Sequence, residues 1–224
     1  MPLRPAFIFD LDGTLVDTAP DLLASTNAVL VAEGRTAVDP VTLRHMVGFG
    51  AGSLIEQAFA ATGSPVHRDK LPELVDAFVR HYRDHIADYS KIFPGVETTL
   101  AHLRMAGARL GVLTNKPQEL TDLLLPRLGL TSYFGAIYGA GRMSYNKPDA
   151  RIFHDVVREL GGGAEGPSIM IGDSLTDVKT ARAAGVPVIL VNYGYTPEPA
   201  ETLGADAVTG DFRDIPKLAA QLLG

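Results

Sequence analysis

Residues 6–15 read Ala6-Phe7-Ile8-Phe9-Asp10-Leu11-Asp12-Gly13-Thr14-Leu15. Four apolar residues without alternation fit a strand buried on both faces, as in a parallel sheet covered by helices. Asp10 breaks the run and Asp12 follows at the alternate position, so two carboxylates fall at the carboxyl end of this strand. Open α/β sheets bind their ligands at that end. Gly13 permits the close backbone approach that such a loop needs. Beside a phosphate or a metal ion, one carboxylate can attack or ligate while the other handles a proton.

Further apolar runs of the same kind lie at Leu110 to Leu113, Ala136 to Tyr138, Ile169 to Ile171 and Val186 to Val191. Between and after them, helical spacing predicts helices over Gln118 to Leu128, Ala150 to Leu160 and Leu175 to Ala184, the last closed by Gly185. Pro126 is expected to kink or end the first of these. Strand and helix alternate, which predicts an α/β fold with a Rossmann-like parallel sheet core and helices on both faces. The rhythm fails once. After Phe9 the next candidate strand begins only at Leu110, and what intervenes reads as helix: Leu22 through Glu33, Leu54 to Ala61, and Leu71 to Ile86. This predicts an inserted all-helical domain over residues 17–92 and a core made of residues 1–16 and 93–224. Asp17 is expected to start a helix, with a place at the hinge of the insertion as the alternative. Pro94-Gly95 marks the return, ahead of a helix from Val96 to Ala106.

The composition narrows the class. The chain has 224 residues, 46% of them hydrophobic, with 20 Lys and Arg against 26 Asp and Glu, a net charge of −6. That excludes a disordered chain and leaves no broad basic footprint, so no nucleic-acid partner is expected. With no cysteine, disulfides, thiolate zinc sites and cysteine nucleophiles are excluded. No run reaches the roughly 18 apolar residues of a membrane span; no membrane association is expected, and the expected location is the cytoplasm. Nothing in the sequence sets an oligomeric state.

Three other strand ends carry polar groups. Ile169 to Ile171 runs into Gly172-Asp173-Ser174, with Asp177 in the next helical turn. Asp10 and Asp173, at two strand ends of one sheet, suit a hard cation such as Mg²⁺. Leu110 to Leu113 runs into Thr114-Asn115, and Lys147-Pro148 precedes the helix at Ala150.

Taken in order, Asp10-x-Asp12-Gly13-Thr14, Thr114-Asn115, Lys147-Pro148 and Gly172-Asp173-Ser174-x-x-Asp177 resemble the four motifs of the haloacid dehalogenase superfamily. The resemblance covers the whole chain, and the insertion looks like that superfamily's helical cap. Among its members the chain is most similar to bacterial phosphoglycolate phosphatases, through Val47-Gly48-Phe49-Gly50-Ala51 and Val191-Asn192-Tyr193-Gly194-Tyr195. The resemblance implies a Mg²⁺-dependent phosphomonoester phosphatase for a small phosphorylated metabolite, with 2-phosphoglycolate the first choice. It implies that Asp10 is the nucleophile and forms an aspartyl-phosphate, and that Asp12 is the acid and base. Gly13, Thr114 and Asn115 would hold the phosphoryl group and Lys147 would neutralise it. Asp10, the Asp12 backbone carbonyl and Asp173 would hold Mg²⁺, with Asp177 behind them. Asn146 departs from the basic residue common there in similar phosphatases, and Ala140 to Tyr145 matches them poorly.

Two alternatives share these residues. A sugar phosphomutase would pass the phosphoryl group back to its substrate. A phospho-aspartate signalling module also combines acids, Mg²⁺, a Thr and a Lys, but it needs no helical insertion after its first strand. Within the insertion, Gly48-x-Gly50-x-Gly52 has neither the strand nor the spacing of a dinucleotide fingerprint and is expected to be a substrate-facing loop. Arg44, just before it, is a candidate for a substrate carboxylate. His81 and His85 lack the glutamate of a zinc protease and read as a solvated face. The Gly161 to Gly163 run lacks the Gly-Lys-Ser/Thr of a phosphate loop and reads as a connector.

Overall fold

In the computed structural model, which describes residues 4–161 and 166–224, the elements follow in the order β1 (Ala6–Phe9), β2 (Val16–Asp17), α1 (Ala19–Ala32), α2 (Pro40–Arg44), α3 (Ala51–Ala61), α4 (Leu71–Asp84), β3 (Lys91–Ile92), α5 (Val96–Met105), β4 (Arg109–Pro117), α6 (Gln118–Arg127), β5 (Ala136–Ala140), α7 (Ala150–Glu159), β6 (Ser168–Gly172), α8 (Leu175–Ala184), β7 (Val188–Val191), β8 (Ala207–Thr209) and α9 (Ile215–Leu223). Gly162 and Gly163, in the expected connector, lie outside the described residues.

Six strands form one parallel sheet in the order β5-β4-β1-β6-β7-β8. All four residues of β1 are buried because both faces are covered. Alternate side chains of a strand point to opposite faces, and β1 divides accordingly. Phe7 and Phe9 enter one apolar cluster with Leu100 of α5 and Ile215 of α9, while Ala6 and Ile8 enter another with Phe153 of α7 and Val178 of α8. Phe9 stands in register with Val112 of β4 and Ile171 of β6. The residues that follow these three therefore emerge side by side at the carboxyl rim.

β2 and β3 pair antiparallel, with Val16 opposite Ile92 and Asp17 opposite Lys91, and Phe93 N–H donates to the Leu15 carbonyl over 3.1 Å. The chain thus leaves and rejoins the sheet along two adjacent threads, and α1 to α4 lie between them. α4 packs on α1 and α3, burying Leu74, Phe78 and Tyr82. Asp21, fully buried, accepts from Tyr89 N–H at 2.9 Å, Ser90 N–H at 2.7 Å and the Ser90 hydroxyl at 2.6 Å, tying the exit of this layer to its entry.

Several expectations need correction. Asp17 starts no helix; it lies in β2, and Thr18 occupies the N-cap of α1. The stretch read as wholly helical contains strand residues at both ends, because a two-residue pair is too short to show a period. The run from Val186 becomes strand only at Val188, beyond Pro187, which lacks the N–H a ladder needs. β8, α9 and the short α2 were not expected at all. β4 runs on to Pro117, with a register irregularity between Leu113 and Pro117. Helix α6 ends one residue after Pro126. Among the described residues no helix is long and apolar enough to cross a membrane.

Candidate active site

Asp10 leaves β1 at the centre of the carboxyl rim, and its Oδ1 accepts from Leu11 N–H at 2.7 Å. Its other oxygen lies 2.9 Å from Lys147 Nζ. Lys147 also bonds Asp177 Oδ1 at 2.6 Å, and its side chain is only 1% exposed. Asp177 Oδ2 in turn accepts from Asp173 N–H at 3.2 Å, Ser174 N–H at 3.1 Å and the Ser174 hydroxyl at 2.7 Å, which locks the turn from β6 into α8. Asp173 Oδ2 accepts from Tyr195 N–H at 2.7 Å and its Oδ1 from the Thr14 hydroxyl at 3.3 Å.

The glycines here leave room for carboxylates. A Cβ on Gly13, whose φ is +80°, would fall 2.4 Å from Asp173 Oδ2, and one on Gly172 would fall 2.2 Å from the Asp177 carboxyl carbon. Neither position tolerates a side chain, so Gly13 shapes the floor of the site.

Three buried carboxylates with one ammonium leave negative charge in a dry place. Burial pushes Asp10 up to about 6 even though Lys147 pulls the other way. Burial, with Asp177 and Asp10 adding repulsion, raises Asp173 well above the ordinary carboxylate range. Burial works to lower the Lys147 ammonium, but Asp10 and Asp177 overcome it and hold its pKa above the usual lysine value. Asp10, Asp173 and Asp177 each offer an oxygen within 4.8 Å of the others. The donors are all hard oxygens and the surplus charge is negative, so the cluster fits a divalent cation.

Asp12 faces the other way. Its Oδ1 accepts from the Thr18 hydroxyl at 2.7 Å and from Lys116 Nζ at 3.0 Å. Lys116 also donates to the Tyr82 hydroxyl of α4 at 2.7 Å. Between this wall and Asp10 lies a cavity that Thr114 and Asn115 also line, roofed by Leu22, Val47, Leu54 and Phe78 together with Gly48 and Gly50. Thr114, 3% exposed, accepts from Lys116 N–H at 3.1 Å. Asn115 donates through Nδ2 to the Lys147 carbonyl at 3.3 Å, and its buried Oδ1 has no partner.

The rim thus gathers Asp10, Asp12, Gly13, Thr114, Asn115, Lys147, Asp173 and Asp177. Arg44 is not among the cavity residues. Its guanidinium lies 3.1 Å from Asp17 Oδ2 and 5.2 Å from the Tyr195 ring centroid, beside the β2–β3 threads. His81 meets the Ser25 hydroxyl at 3.0 Å and His85 meets Asp88 at 2.7 Å. Sequence reading missed Lys116, Tyr82, Thr18 and Tyr195. Lys116 directly follows Thr114-Asn115 at the same strand end, a signal that was there to use. Tyr82 carried none, since a tyrosine in an amphipathic helix reads as core.

Acids at two neighbouring strand ends, a buried lysine bonded to Asp10 and Asp177, and a helical layer over the opening are the parts that a carboxylate-using hydrolase on a parallel α/β sheet needs. The chain belongs to the haloacid dehalogenase-like hydrolase family, whose model matches residues 7–191. It is 46% identical over 215 residues to a phosphoglycolate phosphatase of Caulobacter vibrioides, covering 96% of this chain and 90% of that one. A phosphoglycolate phosphatase of Agrobacterium fabrum is 43% identical, with 94% and 90% covered. Among solved structures, a predicted phosphoglycolate phosphatase from Haemophilus somnus superimposes with a TM-score of 0.90 at 28% identity, covering 97% of this chain and 99% of the other.

Proposed function

We propose that the protein is a Mg²⁺-dependent phosphatase of small phosphomonoesters, with 2-phosphoglycolate as the preferred substrate. The observation that carries this reading is Asp10 at the rim centre, held by Lys147 and flanked by Asp173 and Asp177. The phosphoglycolate phosphatases of Caulobacter and Agrobacterium, similar over nearly the whole chain, support the choice of substrate.

In this reading Asp10 attacks phosphorus and forms an aspartyl-phosphate, while Asp12 gives a proton to the departing oxygen and then takes one from the water that releases phosphate. Lys147 neutralises the oxygens that gain charge, and Thr114 with the backbone around Asn115 orients them. Asn115 Nδ2 serves the Lys147 loop, so the side chain of Asn115 acts through that loop. Asp10, the Asp12 carbonyl and Asp173 would hold Mg²⁺, and Asp177 would orient Asp173 and Lys147. Bound there, the cation adds positive charge to the phosphoryl oxygens.

The division we propose is a core of residues 1–16 and 93–224 and a helical cap of residues 17–92. The apolar roof that α1, α3 and α4 place over the cavity supports a cap that excludes water during attack. The acidic, cysteine-free composition suits the cytoplasm.

Phosphate release from a panel of phosphomonoesters with Mg²⁺, beside EDTA and Asp10→Asn controls, tests the reading. Strong release from 2-phosphoglycolate with both controls silent is expected. Full activity in Asp10→Asn would overturn the nucleophile, and an isomerised sugar phosphate in place of free phosphate would make the protein a mutase.

A further inference from the structure

Lys116 is as deeply buried as Lys147, its side chain 2% exposed, yet the reaction outlined above gives it nothing to do. Its ammonium touches Asp12 and the Tyr82 hydroxyl, and the Tyr82 ring centroid is 4.4 Å from Nζ. An ammonium carries three N–H donors and no acceptor; those of Lys116 reach Asp12 Oδ1 at 3.0 Å, Tyr82 Oη at 2.7 Å and, over a long 3.4 Å, Asp12 Oδ2, and this last, weakest bond is the one a substrate oxygen can replace. Tyr82 Oη accepts from Lys116, and its own proton meets no acceptor among the described residues. Burial, reinforced by Asp12, raises the phenol well above its ordinary value, so that proton stays on. An N–H and an O–H donor therefore sit side by side in the wall of the cavity that Asp10 and Asp12 share. A buried donor left unmet, as the Tyr82 O–H is, is costly. One carboxylate, with two acceptor oxygens, would satisfy both.

The chemistry fixes which part of a substrate lies there. Asp10 attacks in line with the departing oxygen, and Asp12 protonates that oxygen, so whatever touches Asp12 stands on the leaving-group side. Lys147, bonded to Asp10 and Asp177, stands on the phosphoryl side. The site thus has one buried ammonium for each end of a substrate that is anionic at both ends. The side chains of the remaining roof, Leu22, Val47, Leu54 and Phe78, are apolar and offer a second anion no charge.

We propose that Lys116 and Tyr82 bind a carboxylate on the leaving group of the substrate, attached to the carbon that bears the ester oxygen, and so select phosphorylated 2-hydroxy acids over neutral phosphomonoesters. The inference rests on the phosphatase reading and assigns its specificity to a core strand end and a residue of α4. Arg44, the carboxylate candidate from the sequence, is committed to Asp17 and lies outside the cavity.

The test compares kcat/KM for 2-phosphoglycolate and for 2-hydroxyethyl phosphate, which differ by a carboxylate against a hydroxymethyl group. The wild-type ratio should be on the order of 100, the discrimination expected of a charge-assisted bond in a buried site. Lys116→Met should lower that ratio roughly 10- to 100-fold, mostly through KM for phosphoglycolate. Tyr82→Phe, which keeps the ring, should lower it about threefold to tenfold. Should Lys116→Met not fold, Tyr82→Phe carries the test alone. A wild-type ratio near one, or variants that slow both substrates by the same factor, would overturn the inference and leave the phosphatase standing. No hydrolysis of either ester by the wild-type protein would overturn both.

Discussion

The two buried lysines of the site sit in opposite surroundings. Lys147 belongs to a closed set in which both acidic partners, Asp10 at the sheet rim and Asp177 in the first turn of α8, come from the core. Lys116 spans two layers, from the end of β4 to Asp12 on one side and to Tyr82 of α4 on the other. The first arrangement stays within the α/β core: strand register brings the end of β1 beside that of β6, the first turn of α8 adds Asp177, and the loop between β5 and α7 adds Lys147. The second exists only while the helical layer lies on the sheet. A change to the first should therefore strike chemistry and stability together, whereas a change to the second should strike the fit of the substrate.

Asp10→Asn is the most severe way to probe the contrast. It keeps the shape of the rim but removes the proposed nucleophile, and turnover should fall by about a thousandfold or more. Circular dichroism should be unchanged, and loss of helix content instead would show that Asp10 is needed for the fold. Lys147→Met comes next. It strands Asp10, Asp173 and Asp177 with no ammonium among them, and breaking a buried pair by removing one partner costs about 3–5 kcal/mol. Urea denaturation should show that loss, along with a collapse of activity, and a variant as stable as wild type would mean that the acids neutralise themselves by taking up protons.

This contrast also explains what could be read in advance. The parallel sheet was legible because buried strands such as Phe7 to Phe9 show no alternation and are followed by turn residues. The rim was legible because Asp10, Thr114 and Asp173 each lie immediately beyond such a run. β8 and α9 were not, since a three-residue edge strand is too short to display a pattern and the helix behind it follows no strand that had been recognised. Asp17 was misread because Asp commonly caps helices, and only the pairing of β2 with β3 places it one residue too early. Tyr82 and Tyr195 belong to the same category: their neighbours in space lie in distant parts of the sequence.

The acid cluster gives a pH test of intermediate size. Asp10, raised from 3.8 to about 6, holds its proton more tightly in the folded chain than in the unfolded one. Between those values the folded state binds more protons, so stability falls as pH rises and recovers as pH drops below about 6. Asp173 is shifted in the same direction. Lys147, raised, contributes constantly throughout this window because it is charged in both states. For the EDTA-treated protein, Tm should rise on going from about pH 7.5 to about pH 5.5, by an amount that reflects about 1 kcal/mol from Asp10, since its full effect of about 3 kcal/mol is reached only below about pH 4. Mg²⁺ should flatten the profile, because a cation does the same work as the protons. A Tm that falls over this range without metal would place the dominant titration elsewhere.

The smallest effects are expected where the sheet and the helical layer meet away from the cavity. Tyr195 donates its N–H to Asp173, while its hydroxyl donates to Asp17 at 2.7 Å and accepts from Thr18 N–H at 2.7 Å and Ala19 N–H at 3.0 Å. One residue thus touches the acid cluster with its backbone and the first turn of α1 with its side chain. Tyr195→Phe leaves the Asp173 contact intact and removes only the bonds to α1 and Asp17, so the fold should lose about 1–2 kcal/mol. Arg44→Ala removes the partly exposed pair with Asp17 and the stacking on Tyr195, worth about 1 kcal/mol or less. If the two act on one joint, their combined loss should fall short of the sum of the single losses, since Arg44 and Tyr195 share Asp17 as a partner. Strict additivity would separate them and leave Tyr195 acting through α1 alone. In neither variant should the preference for a carboxylate-bearing substrate change, because both lie outside the cavity wall that Lys116 and Tyr82 form.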